Sequence, residues 1–377
     1  MNISATRATM HRPGLFILLT LALTASMLIV VAVFNWQIDP FQQYRLAPAG
    51  EARFPRALQR YINPGLAKNA EYDFIITGSS LMENYHLPEV DRLCGVKSIN
   101  LATSAMAAYE QRKILEVALK HRAPKRIVMT LDFNSFAPPP NESLPDIADP
   151  LPVYLYDDNI LNDFRYLING SVAMRSMSIA RGEQVGNYST DFNRAWSWEH
   201  EVQFGRERTL QNIDPDNINL RFKQGPRTAS RMRESFEVNV ARLIEQHPGT
   251  EFNIVFPPYS IVVWADFVQR GQLEVSLDFK RQVFQRIGRL PNARIFDMQW
   301  DADIIQNLEH YTDIYHFSPE IGARLLDAAC NHHPRYRVDA ESHRVFEAIL
   351  RKQALEVDAR IWCKTVDGTA CAPESVN

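Results

Sequence analysis

The stretch Tyr72 to Leu81, reading YDFIITGSSL, constrains this chain more than any other. Phe74, Ile75 and Ile76 form a short, apolar, partly β-branched run, the pattern of a strand buried on both faces. The run stops at Gly78-Ser79-Ser80-Leu81, where a small residue permits a sharp turn and two hydroxyls sit at the strand's end. In an open α/β sheet, ligands bind at the carboxyl ends of the strands. A serine there can act as a nucleophile if a base lies elsewhere in the chain. Asp313-Ile314-Tyr315-His316 is one candidate for that base.

The segments after Tyr72 alternate regularly. Asp73–Thr77, Val96–Asn100, Arg126–Phe133, Glu251–Phe256 and Ala293–Asp297 read as five strands. Between them, Leu87–Leu93, Ala105–His121, Ser230–His247 and Val275–Ile287 read as helices, with Ile114, Leu115, Ala118 and Leu119 at helical spacing. Strands alternating with helices of this length imply a parallel sheet. The alternation breaks over residues 137–229, a stretch rich in Pro, Asn, Asp and aromatics, which reads as an insertion after the third strand. A last helix is expected from Ser318-Pro319-Glu320, with serine as N-cap and proline at the first helical position.

Upstream, Gly14 to Phe34 is about 21 residues without a charge, long enough to cross a bilayer as a helix. Arg7, His11 and Arg12 precede it, and Trp36 follows as an interfacial aromatic. A cleaved signal peptide would have an apolar core of only about 7–15 residues and a small-residue cleavage site. An uncleaved anchor in membrane lipid is the expectation, with the N-terminus cytoplasmic and the large domain outside the inner membrane. The expected organisation is a cytoplasmic 1–13, a membrane helix 14–34, a juxtamembrane connector 35–69, an α/β domain 70–335, and a C-terminal helix and loop 336–377.

Of the 377 residues, 46% are hydrophobic and 23% charged, an ordinary globular balance. A net charge of -3 gives no reason to expect nucleic-acid binding. The four cysteines are too few for a disulfide framework, and no Cys/His spacing suggests zinc. Cys363 and Cys371 bracket a loop that could close as a disulfide in an oxidising compartment, and whether Cys94 and Cys330 meet stays open.

Ser80 is the candidate nucleophile, because a hydroxyl attacks only when a neighbouring base takes its proton. The plain alternative is a turn that caps the next helix. His316 sits three residues after Asp313, so the carboxylate can fold back onto one imidazole nitrogen while the other faces a serine. The insertion carries Trp196 and Trp198 among several tyrosines. Exposed, these would offer sugars a stacking face; otherwise they form the insertion's own core.

The order of these blocks resembles the SGNH (GDSL-type) hydrolase superfamily. Gly78-Ser79-Ser80-Leu81 is similar to its Gly-Asp-Ser-Leu block, with Ser79 at the aspartate position, and Asp313-x-x-His316 matches its last block. The resemblance implies an α/β, flavodoxin-like sandwich around a five-stranded parallel sheet. It also implies a triad of Ser80, His316 and Asp313 with no cofactor or metal. The oxyanion donors would be the N–H groups of Ser80 and Ala105, which takes the place of the second block's glycine, and the side chain of Asn134 from Asp132-Phe133-Asn134-Ser135. With the anchor, the chain looks like membrane-tethered SGNH-like proteins of bacterial envelope O-acylation systems. That likeness implies esterase or O-acetyltransferase chemistry on a cell-envelope polysaccharide, with a membrane acyltransferase as partner. The competing expectation is a non-catalytic SGNH-like scaffold that binds polysaccharide.

Overall fold

The computed structural model describes residues 12–361, apart from positions 49, 146, 148–150, 184–186, 212–226 and 340. It is a mixed α/β structure with one apolar helix at its N-terminus, α1 (Arg12–Ile38). Within Pro13–Ile38 an 18-residue stretch has a mean hydropathy of 2.7 and stands exposed, so α1 is long and apolar enough to cross a membrane.

The α/β body begins almost at once. α2 (Gln59–Asn69) precedes β1 (Phe74–Thr77), α3 (Leu87–Cys94), β2 (Ser98–Asn100), α4 (Ala108–His121) and β3 (Arg126–Thr130). The insertion holds short pieces: α5 (Phe164–Leu167), α6 (Gly170–Ala180) and α7 (Arg206–Leu210). Then come α8 (Ala229–Phe236), α9 (Arg242–Gln246), β4 (Glu251–Phe256), α10 (Ile261–Gln269), α11 (Leu273–Ile287), β5 (Ala293–Asp297), α12 (Ala302–Ile305), α13 (Pro319–Cys330) and α14 (Ser342–Ile361).

The five strands form one all-parallel sheet in the order β2-β1-β3-β4-β5. In this doubly wound order the direction in which strands are added reverses between β1 and β3, all strands staying parallel, which opens a crevice at their carboxyl ends. Phe74, Ile75 and Ile76 are each fully buried, as a strand covered on both faces requires. β3 stops short of the expected Phe133 because Asp132 leaves the ladder and caps a 3₁₀ turn over Phe133–Phe136 through the Asn134 N–H. The helix expected over Ser230–His247 is present with a π-turn at Glu237–Ala241 between α8 and α9. At α13, Pro319 occupies the first turn, but the Ser318 hydroxyl makes no capping bond.

Residues 39–43 and α2 pack into the body. Asp39 accepts bonds from the N–H groups of Gln43, Tyr44 and Arg45 and from the Tyr166 hydroxyl of the insertion. Gly65 lets α2 touch this segment: a Cβ there would lie 2.2 Å from the Gln42 carbonyl oxygen. In the last turn of α1 Asn35 is buried against the body, where its side chain bonds the Leu167 carbonyl and the Ser176 hydroxyl.

Candidate active site

β1 delivers its serine through a turn only glycine can make. Gly78 has φ +154, and a Cβ on it would sit 2.1 Å from Thr130 Oγ1 on the neighbouring strand. Ser79 then opens a 3₁₀ turn over Ser80–Met82, which leaves Ser80 half-buried at the sheet's carboxyl edge.

Ser80 Oγ lies 2.8 Å from His316 Nε2, and His316 Nδ1 lies 2.7 Å from Asp313 Oδ2. The other Asp313 oxygen accepts the backbone N–H groups of Tyr315 and His316 at 2.8 and 2.9 Å, which folds the loop so that the carboxylate meets the ring. Two acceptor bonds to one oxygen leave the second free for the imidazole. With Nδ1 donating to Asp313, Nε2 is the lone-pair nitrogen facing the serine hydroxyl. Burial disfavours charge on both groups, yet the pair's mutual attraction prevails: the His316 pKa is raised above 6.5 and that of Asp313 is lowered.

Ala105 has φ +50, the left-handed region in which a side chain costs energy. The glycine-like demand at this position is therefore met by an alanine under strain. Its N–H direction is set from behind. Arg60 Nη2 donates to the carbonyls of Ser104 and Ala105 at 3.1 and 3.2 Å, while Glu110 holds the guanidinium at 2.8 Å. In a trans peptide the N–H points opposite the C=O, so the grip on the Ser104 carbonyl aims the Ala105 N–H away from Arg60. Among the described residues, neither the Ser80 nor the Ala105 N–H donates to a protein acceptor. Asn134 is tied to the same cluster. Its side chain bonds the Tyr315 hydroxyl, and the adjacent Ser135 hydroxyl donates to the Met106 carbonyl at 2.5 Å.

The two tryptophans part ways. Trp196 is 1% exposed and its indole N–H donates to the Asn100 carbonyl, so it has no face to offer a sugar and belongs to the core. Trp198 stands edge-on to the His316 ring, with centroids 5.1 Å apart, and is itself 6% exposed. Its main-chain N–H bonds Asn84 Oδ1, which fastens the insertion beside the triad, and the Arg56 guanidinium lies 5.5 Å over its ring. Glu83, with no exposed side-chain surface, ion-pairs with Arg56 at 3.4 Å and adds a second negative charge that raises the His316 pKa.

Asn84, Glu83, Arg60 and Tyr315 escape a sequence reading. Only Tyr315 lies inside a recognisable block; the others act through contacts distant in the chain. Cys94 and Cys330 are disulfide-bonded, whereas Cys363 and Cys371 lie outside the described residues. Among the described residues, no group of three or more His, Cys, Asp or Glu could hold a metal ion. Comparison with protein-family models finds no match, and comparison with curated proteins finds none.

Proposed function

We propose that this chain is a membrane-anchored, extracytoplasmic serine esterase or O-acyltransferase of the SGNH type, acting on acyl esters of a cell-envelope glycan. The observation that carries the reading is the continuous bond chain from Ser80 through His316 to Asp313. Ser80 Oγ attacks the acyl carbonyl as His316 Nε2 takes its proton. The N–H groups of Ser80 and Ala105 and the Asn134 amide hold the oxyanion. His316 then protonates the leaving alcohol, and water or a glycan hydroxyl releases the acyl group from Ser80. The anchor reading is supported by the length and exposure of α1. An oxidising compartment is supported by the Cys94–Cys330 disulfide.

The test is a fluorophosphonate probe and a chromogenic acetyl ester applied to the full chain in detergent. Labelling is expected on Ser80, and Ser80→Ala is expected to abolish it and cut ester turnover roughly 10⁴–10⁶-fold. Labelling that survives Ser80→Ala would overturn the reading. So would a folded wild type that neither labels nor turns over ester, which would leave the non-catalytic scaffold.

A further inference from the structure

A second site lies beside the point where α1 enters the body. A cleft of about 450 Å³ opens between α2, α6 and the segment that joins α1 to α2, a volume in the range of small-molecule sites. Phe41, Leu58 and Ile62 make one apolar wall, and Met174 and Ile179 of α6 make the other. Arg53 and Arg175 also line it.

Among the described residues neither arginine pairs with a carboxylate. Arg53 donates to the Glu183 carbonyl and lies over the Tyr188 ring, and Arg175 lies over the Phe41 ring at 6.0 Å. A half-buried guanidinium facing apolar surface forfeits hydration, which an anion would return with strong bidentate bonds. The matching ligand therefore joins an anionic head to an apolar tail.

The position says where such a ligand comes from. α6 lines the cleft and also packs on the last turn of α1, where Ser176 Oγ meets Asn35 Oδ1 at 2.9 Å. Pro40, just past the end of α1, is part of the lining. Apolar side chains stand exposed around this junction, with Met174 at 67% and Phe164 at 53%. We propose that the cleft binds an anionic phospholipid of the bilayer that α1 enters, with the phosphate between Arg53 and Arg175 and an acyl chain along Phe41, Ile62 and Ile179. This rests on the reading of α1 as a membrane helix.

Thermal unfolding of the full chain in neutral detergent tests it, with phosphatidylglycerol, phosphatidylcholine of the same chains, or glycerol phosphate added. Phosphatidylglycerol is expected to raise the midpoint by about 5 °C, and the other two to leave it in place. Arg53→Gln with Arg175→Gln should remove the shift and spare Ser80 labelling. Met174→Trp, at an exposed residue, should block the cleft and remove the shift with both arginines intact, which keeps the test open if the double variant fails to fold. An equal response to phosphatidylcholine, a response to glycerol phosphate alone, or a shift that survives these substitutions would overturn the site. Failure of the anchor shows separately, as release of the chain from membranes by alkaline carbonate. A chain that stays in the membrane without a phosphatidylglycerol-selective shift sinks only the lipid site.

Discussion

His316 is charged more readily than an ordinary histidine although its surroundings are poorly hydrated. Desolvation, the largest single effect, pushes its pKa down, and the Asp313 carboxylate 2.7 Å away, together with Glu83 and Asp132, pushes it up past the ordinary value. A general base must be neutral to accept the serine proton, so kcat/KM should climb with pH through this raised pKa and level off above it. Asp313→Asn removes the charge that raises it. The acidic limb of the profile should then move to lower pH, and kcat should fall about 10⁴-fold because the imidazole loses its tautomer and orientation. A profile unmoved by the substitution would mean that another group titrates. Ala105 allows a different test. Relief of its left-handed strain is worth about 1–2 kcal/mol, offset in part by the extra freedom of an unfolded glycine. Ala105→Gly should therefore raise stability by about 0.5–1 kcal/mol in chemical denaturation and leave Ser80 labelling intact, because the N–H remains. A loss of more than about 1 kcal/mol would show that the methyl group's packing outweighs its strain.

Elements were legible where one physical signal dominated. β4 and β5 occupy the residues their apolar runs mark out, Glu251–Phe256 and Ala293–Asp297. β2 begins at Ser98 instead of Val96, and β3 ends at Thr130, since pairing with β1 and β4 sets strand ends more than composition does. α10 was not legible. Its residues Ile261–Phe267 are all buried, and a helix that is apolar on every side carries no 3.6-residue period. Trp196 shows the same limit at a single position, because an aromatic in an aperiodic stretch reads alike whether it faces solvent or the core. The triad stood out for the opposite reason. Asp313 and His316 are three residues apart, so their local geometry is set by one loop, and strand order alone brings Ser80 to meet them. The groups that steady the site, Arg60 on the Ser104 carbonyl and Asn84 on the Trp198 N–H, depend on contacts across 44 and 114 positions. No local pattern encodes those.

At the scale of the whole molecule, the Cys94–Cys330 bond joins the ends of α3 and α13 across 236 residues of sequence. It thereby fastens the helix after the nucleophile to the helix after the His316 loop. Cys94→Ser with Cys330→Ser should lower unfolding free energy by about 2–4 kcal/mol, read from denaturant midpoints, and spare labelling at room temperature. An unchanged midpoint would mean that α3 and α13 hold together by packing alone. The burial of Asn35 has a wider consequence. A body joined to its membrane helix by a flexible tether would sweep a range of heights, whereas here the helix's last turn is part of the body, with Asn35, Ser176 and Leu167 joined directly. In the anchored reading the helix is a post and not a leash. On that reading Ser80 is held in one layer above the bilayer, and the proposed acyl chemistry would be confined to that layer: polymer would have to be brought to it, because the body has no slack with which to reach out.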